Sequence, residues 1–154
     1  MPRIVFSVDQ VVGKARPRVL KSGHSFTPDK TVNAERAAKE AYRNASVARY
    51  GRVLKANPHE PVHLTIYTYR PLPKSRPKSL QSEPDTYKAD WDNLGKLISD
   101  ALTGCAYVDD AQVTRAVVDK QPRRRNQEEC MLVSVSWGEE IALVGDMEVS
   151  RVIY

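Results

Sequence analysis

Residues 3–8 alternate apolar and polar side chains, with Ile4, Phe6 and Val8 on one side, the period of a half-buried strand. Residues 62–70 repeat the pattern, Val62, Leu64 and Ile66 facing one way and His63, Thr65, Tyr67 and Tyr69 the other. Two more alternating runs, 111–120 and 130–137, predict further strands, and the 121–129 connector is long enough to join them as a hairpin. Elsewhere the period changes. From 31 to 50, Ala34, Ala37, Ala38, Ala41, Tyr42, Ala45 and Ala48 recur at helical spacing, which predicts a helix whose nearly all-alanine stripe approaches a sheet closely, with Gly51 as its stop. Leu94, Leu97, Ile98, Ala101 and Leu102 mark a second amphipathic helix, ending near Thr103 and Gly104. Residues 9–29 and 71–84, punctuated by Gly and Pro, read as long connectors, the second a loop or extended arm. The β-prone stretch 149–154 has three open uses: pairing with the sheet, with a partner subunit, or with nothing.

Length then bounds the answer. A chain of 154 residues suits one domain, large enough to bury roughly 70% of its unfolded surface without disulfides or a structural metal. Hydrophobic residues make up 41% and charged residues 28%, which excludes disorder of the whole chain. No apolar run approaches the roughly 18 residues of a membrane span, and the first residues lack a secretory pattern, so a soluble, cytoplasmic protein without a membrane partner is expected. Cys105 and Cys130 stand apart with no Cys-x-x-Cys pair, and reduced thiols are expected. Twenty-four Lys and Arg against nineteen Asp and Glu give net charge +5, which suits a polyanion and equally an ordinary surface, so placement decides.

Positive charge gathers in three connectors: Lys14, Arg16, Arg18, Lys21 and Lys30; Arg70, Lys74, Arg76 and Lys78; and Lys120, Arg123, Arg124 and Arg125. Loops can wrap a ligand. Between the second and third, the sign reverses: Asp90, Asp92, Asp100, Asp109 and Asp110 face the single cation Lys96. Carboxylates repel a polyanion unless a cation intervenes, and a bound divalent metal resolves that conflict. At about 100° per residue, Asp92 and Lys96 share the face opposite the apolar stripe, and Asp90 sits at the helix start, where the dipole favours negative charge. The strand after the helix is expected to carry one member of the Asp109–Asp110 pair back beside Asp92, since alternation points only one inward. Three carboxylates plus water suit Mg²⁺, which takes oxygen ligands octahedrally at about 2.0–2.1 Å. Such an ion lowers the pKa of a bound water and polarises a phosphodiester. Lys96 then has three open roles: holding Asp92, orienting water, or stabilising charge on the phosphorane.

The plainer reading of the same residues is a capped helix, a surface i, i+4 pair and a turn. An EF-hand fails, because Leu94 and Ala101 fall where oxygen ligands are needed. His59 and His63 lie across Pro61 with no cysteine near, which argues against zinc. No nucleophile elbow or phosphate-cradling glycine loop occurs, and Trp91 and Trp137 read as packing residues.

The runs Lys88-Ala89-Asp90-Trp91-Asp92-Asn93-Leu94-Gly95-Lys96, Asp100-Ala101-Leu102-Thr103-Gly104 and Val108-Asp109-Asp110-Ala111-Gln112-Val113 resemble the RusA family of Holliday junction resolvases. Gly13-Lys14-Ala15-Arg16-Pro17-Arg18, Thr27-Pro28-Asp29-Lys30-Thr31 and the 71–74 segment resemble that family's basic loops, so the likeness spans about residues 3–137. It implies Asp90, Asp92 and Asp110 as Mg²⁺ ligands, with Mn²⁺ as the alternative ion, and Lys96 as the essential lysine. Ala89 stands where the family often has Pro, and Thr103 where it often has Asn. The implied fold is a single α+β domain over 3–137, with a mixed sheet of about four to five strands and two main helices, homodimeric; the tail over 138–154 has no counterpart in the family, and its own β-prone end makes an extra strand or a dimer contact the expectation there. The implied activity is resolution of four-way DNA junctions in recombination and repair by a Mg²⁺-dependent endodeoxyribonuclease of bacterial or phage origin. Lys14, Arg16, Arg18, Lys74, Arg76 and Lys78 are its expected DNA contacts. A two-fold junction suits a two-fold dimer presenting two equivalent sites. The rival readings are a nuclease on flaps, forks or other branched DNA, a non-catalytic DNA-binding dimer of the same fold, and a basic scaffold whose acidic cluster only balances charge.

Overall fold

A computed structural model of the chain describes residues 2–138, so the tail expected over 138–154 falls outside the described residues apart from Gly138. Strand β1 (Arg3–Val8) buries Ile4, Phe6 and Val8 as its alternation requires. The following connector holds only a two-residue ribbon, β2 (Arg18–Val19) against β3 (Ser25–Phe26). Helix α1 (Asp29–Tyr50) then ends on Gly51, whose φ of 76° is the left-handed cap that only glycine adopts without cost. Its buried positions are Thr31, Ala38, Tyr42 and Ser46, whereas Ala37 and Ala48 are exposed. The expected all-alanine stripe is thus corrected, for a physical reason: hydroxyls can be buried here because loop carbonyls take them. The Ser46 hydroxyl donates to the Arg52 carbonyl at 2.8 Å, and Tyr42 donates to the Leu54 carbonyl at 2.5 Å.

Strand β4 (Val62–Tyr69) leads through a ribbon residue pair, β5 (Ser82–Glu83), into α2 (Trp91–Leu102); a 3-10 turn (Asp110–Gln112), β6 (Val113–Lys120), β7 (Arg123–Arg124) and β8 (Cys130–Trp137) follow. The main sheet has the order β1-β8-β4-β6. Strands β6 and β8 therefore do not form the expected hairpin: β4 lies between them, parallel to β6 and antiparallel to β8. The connector is instead used up by β7, which pairs with β5. The sequence 111–112, expected as strand, belongs to the 3-10 turn.

The result is one α+β domain with a mixed four-stranded sheet and two helices. Ile4, Phe6, Leu64, Ile66, Val133 and Val135 pack beneath Ala38, Tyr42, Leu94, Leu97 and Ile98, while Val5 and Leu132 on the opposite sheet face are exposed. Among the described residues, no helix is long and apolar enough to cross a membrane. β4, α2 and β6 form a crossover, so α2 starts where β4 ends and finishes where β6 begins. That polarity sets where every acidic residue falls.

Candidate functional site

Helix α2 is held by its apolar stripe: Leu94, Leu97, Ile98 and Leu102 are wholly buried, which leaves Asp92 and Lys96 outward. Asp90 occupies the N-cap position in extended backbone, yet its side chain makes no capping hydrogen bond. The capping role offered by the plainer reading is therefore not taken up. Asp92 has Lys96 Nζ 4.0 Å away across one helical turn, both side chains open to solvent. Two carboxylates two residues apart thus stand at the positive end of α2 with little intramolecular neutralisation.

The approach to Asp90 is built by side chains that reach across the fold. Arg70, at the end of β4, grips Asp85 with two hydrogen bonds of 2.9 and 2.6 Å and donates a third, 2.6 Å long, to the Lys88 carbonyl. The Asp85 side chain is 1% exposed. Burial alone would push its carboxyl up, but the Arg70 guanidinium more than offsets this and holds it below the usual range. From the other side the N-terminal connector docks on α2. Lys14 N–H donates to the Asn93 carbonyl at 2.8 Å, and Gly13 lies so near that a Cβ there would sit 2.6 Å from Ala89 Cβ. The Lys14 ammonium bridges Glu35 of α1 at 2.5 Å and Asp100 of α2 at 3.1 Å, and the Glu35 hydrogen bond above all raises its pKa.

A cleft of about 650 Å³ results, lined among others by Lys14, Arg16, Lys30, Arg70, Lys88 and, as its one carboxylate, Asp90. Positive charge around a single unpaired acid is what the sign reversal in the sequence leads to in space.

The other basic residues divide. Arg76 pairs with Glu83 at 3.0 Å and donates to the Tyr87 hydroxyl at 2.7 Å; Arg123 lies 4.4 Å over the Tyr87 ring and 3.8 Å from Glu83. Arg125 donates to the Leu80 carbonyl at 2.7 Å and to that of Pro77. Arg70, Arg123 and Arg125, expected on phosphate-wrapping loops, are thus corrected: they tie the proline-rich arm to the rest of the fold, Arg70 through Asp85 and the Lys88 carbonyl, Arg123 through Glu83 and the Tyr87 ring, and Arg125 through loop carbonyls that its guanidinium satisfies. Arg16, Lys74 and Lys78 are exposed. Arg18 lies in the β2–β3 ribbon.

Asp109 and Asp110 sit elsewhere. The 3-10 turn that precedes β6 is at the far end of α2, a 12-residue helix about 18 Å long. Asp109 accepts the Ala111 N–H at 2.9 Å, and Gln112 Oε1 accepts from Val108 and Asp109, a reciprocal cap. That backbone hydrogen bond lowers the Asp109 pKa, while Asp110, hydrogen-bonded to Asp109 and also facing Asp100, is raised. The buried Gln112 also donates to the Asn57 and Glu60 carbonyls at 2.7 and 3.1 Å.

The expected return of one of these acids beside Asp92 within a single chain is consequently corrected: among the described residues no three His, Cys, Asp or Glu side chains come together as a metal-holding group. The crossover separates the pair from Asp110 by the helix length. Oxygen donors that neither cap nor pair tightly, as at Asp90 and Asp92, suit a hard divalent cation as two of its ligands; among the described residues of the same chain no third carboxylate joins them. Sequence reasoning missed Asp85 and Gln112. Only the latter carried a signal, the Asp-x-x-Gln spacing from Asp109.

Exposed carboxylates at a helix head beside a cationic cleft are the equipment of an enzyme that handles phosphate esters. Residues 10–132 match the model of the family described as Endodeoxyribonuclease RusA, most of the chain, and the protein belongs to that family. It is an endodeoxyribonuclease of the type that resolves Holliday junctions, a hydrolase acting on branched DNA. No curated protein matches the sequence.

Proposed function

We propose that the protein is a Mg²⁺-dependent, homodimeric nuclease that resolves four-way junctions by paired nicks in recombination and repair, acting in the cytoplasm of a bacterium or of a phage-infected cell. The observation that carries this reading is Asp90, an uncapped carboxylate at the wall of a cleft whose other charged lining residues are all cations. The residues to hold the ion are Asp90 and Asp92, joined by Asp110 of the partner subunit, since within one chain Asp110 lies at the other end of α2. A bound divalent ion supplies a nucleophilic water and neutralises charge on the phosphodiester.

The chain's own side chains do the rest. Arg16, Lys30 and Lys88 draw the backbone into the cleft, and Lys74 and Lys78 extend the positive surface along the arm. Lys14 and Arg76, both committed to acidic partners, serve DNA chiefly by shaping the loops that carry their neighbours. Lys96, one helical turn from Asp92 on the same outward face, offers a fixed donor to the charge that develops on phosphorus.

Incubation with a synthetic four-way junction, with and without Mg²⁺, tests the reading, and flaps and forks run beside it rank the substrates. Asp92→Asn should abolish cleavage while junction binding persists or tightens; continued cutting by this variant with Mg²⁺ refutes the site. Mixing Asp92→Asn with Asp110→Asn chains should restore nicking of a single strand, because a mixed dimer then holds one intact composite site. No restoration refutes a site shared between the two chains.

A further inference from the structure

Trp91 is 67% exposed, the opposite of the packing role its chemistry suggests, whereas Trp137 is 4% exposed and packs in the core. It occupies the first position of α2, between Asp90 and Asp92. Helical phase separates it from the cleft: Asn93 turns toward Gly13 and Lys14, while Trp91 lies on the flank shared with Gly95, where an added Cβ would sit 3.4 Å from Val118 of β6. The Asp92–Lys96 face therefore runs between the cationic cleft on one side and a bare indole on the other.

We propose that Trp91 stacks on an unpaired or unstacked DNA base beside the cleaved phosphodiester and so determines selectivity for branched over linear DNA; this rests on the nuclease reading above. A strand lying in the cleft and crossing the two carboxylates arrives at Trp91 with a base. In a continuous duplex every base is already stacked and extracting one costs energy, whereas a branch point presents bases whose stack is interrupted. Stacking on an aromatic is sequence-tolerant, because every base has a π face. Nothing then opposes the exposure of so large an apolar group in the free protein except the ordinary cost of its hydration, and the bound base removes it.

The two tryptophans allow a direct test, since quenching on DNA binding reports on Trp91 against a buried Trp137 background. The intact chain is titrated in EDTA with a four-way junction and with linear duplex of the same length, following indole emission and, separately, the anisotropy of labelled DNA. The expected result is strong quenching by the junction and little by the duplex. Trp91→Ala should weaken junction binding by roughly ten- to a hundredfold, leave duplex binding within about twofold, and retain the native circular dichroism; Trp91→Phe should recover most of the loss. Junction binding without quenching, or equal loss on both DNAs, overturns the inference while leaving the nuclease reading intact. An emission shift that depends on protein concentration without DNA also overturns it and assigns Trp91 to a contact between two chains. Failure of the wild-type chain to bind the junction at all refutes both readings together.

Discussion

Replacing Arg70 with methionine removes the guanidinium that grips Asp85 at 2.9 and 2.6 Å and the Lys88 carbonyl at 2.6 Å, yet keeps an apolar stem of similar length. Asp85 is then a buried carboxylate without its counter-ion, a situation that costs about 3–5 kcal/mol when a buried pair is broken from one side. Arg70 itself is 18% exposed, so water can reach part of the vacated space, and the lower end of that range, about 3 kcal/mol, is expected. With a urea m-value of about 2 kcal/mol/M, the unfolding midpoint should fall by about 1.5 M. The double-mutant cycle with Asp85→Leu isolates the pair; a coupling above about 1.5 kcal/mol is expected, and one below about 0.5 kcal/mol would refute the reasoning. An independent check uses pH. Asp85 titrates below its ordinary value of 3.8, so its contribution is fully present above that value and is lost as pH falls through the lower folded pKa. The stability advantage of the native chain over Asp85→Asn should be flat above about pH 5 and shrink below about pH 4.

Two further outcomes follow from the packing around α2. Gly13→Ala places a Cβ 2.6 Å from that of Ala89, and should destabilise by about 1–3 kcal/mol in urea melts, with Ala89→Gly restoring most of the loss. Lys96→Met breaks an exposed pair at 4.0 Å and should change stability by less than about 0.5 kcal/mol, while junction cleavage slows by about a hundredfold or more; a drop in stability with normal cleavage would reverse the role assigned to this lysine.

Much of the fold was legible because burial enforces periodicity. The strands at 3–8, 62–70 and 130–137 and both helices appear within a residue or two of where the alternation and the helical stripes put them. The hairpin between 111–120 and 130–137 was misread because a connector of suitable length leaves strand order open; what inserts β4 is the need of the α2 crossover to place β6 parallel beside it. The basic segments were legible as positive charge but not as to use. Arg16 and Lys30 line the cleft, while Arg70 and Arg125 satisfy a carboxylate and loop carbonyls, and nothing local to an arginine tells which partner it will meet.

The acidic site divides along the same line. The Asp-Trp-Asp start of α2, the outward Asp92–Lys96 face and the family itself are properties of the linear chain, because they depend on spacing within one helix and on motif identity. That Asp90 stays uncapped at a cationic wall, that Asp109 is consumed as a cap, that Asp110 stands a helix length away and that Trp91 is bare were decided only by the tertiary structure. Each depends on which remote segment arrives beside it, and the crossover from β4 through α2 to β6 sets those arrivals by placing the two ends of one helix at opposite ends of the strands.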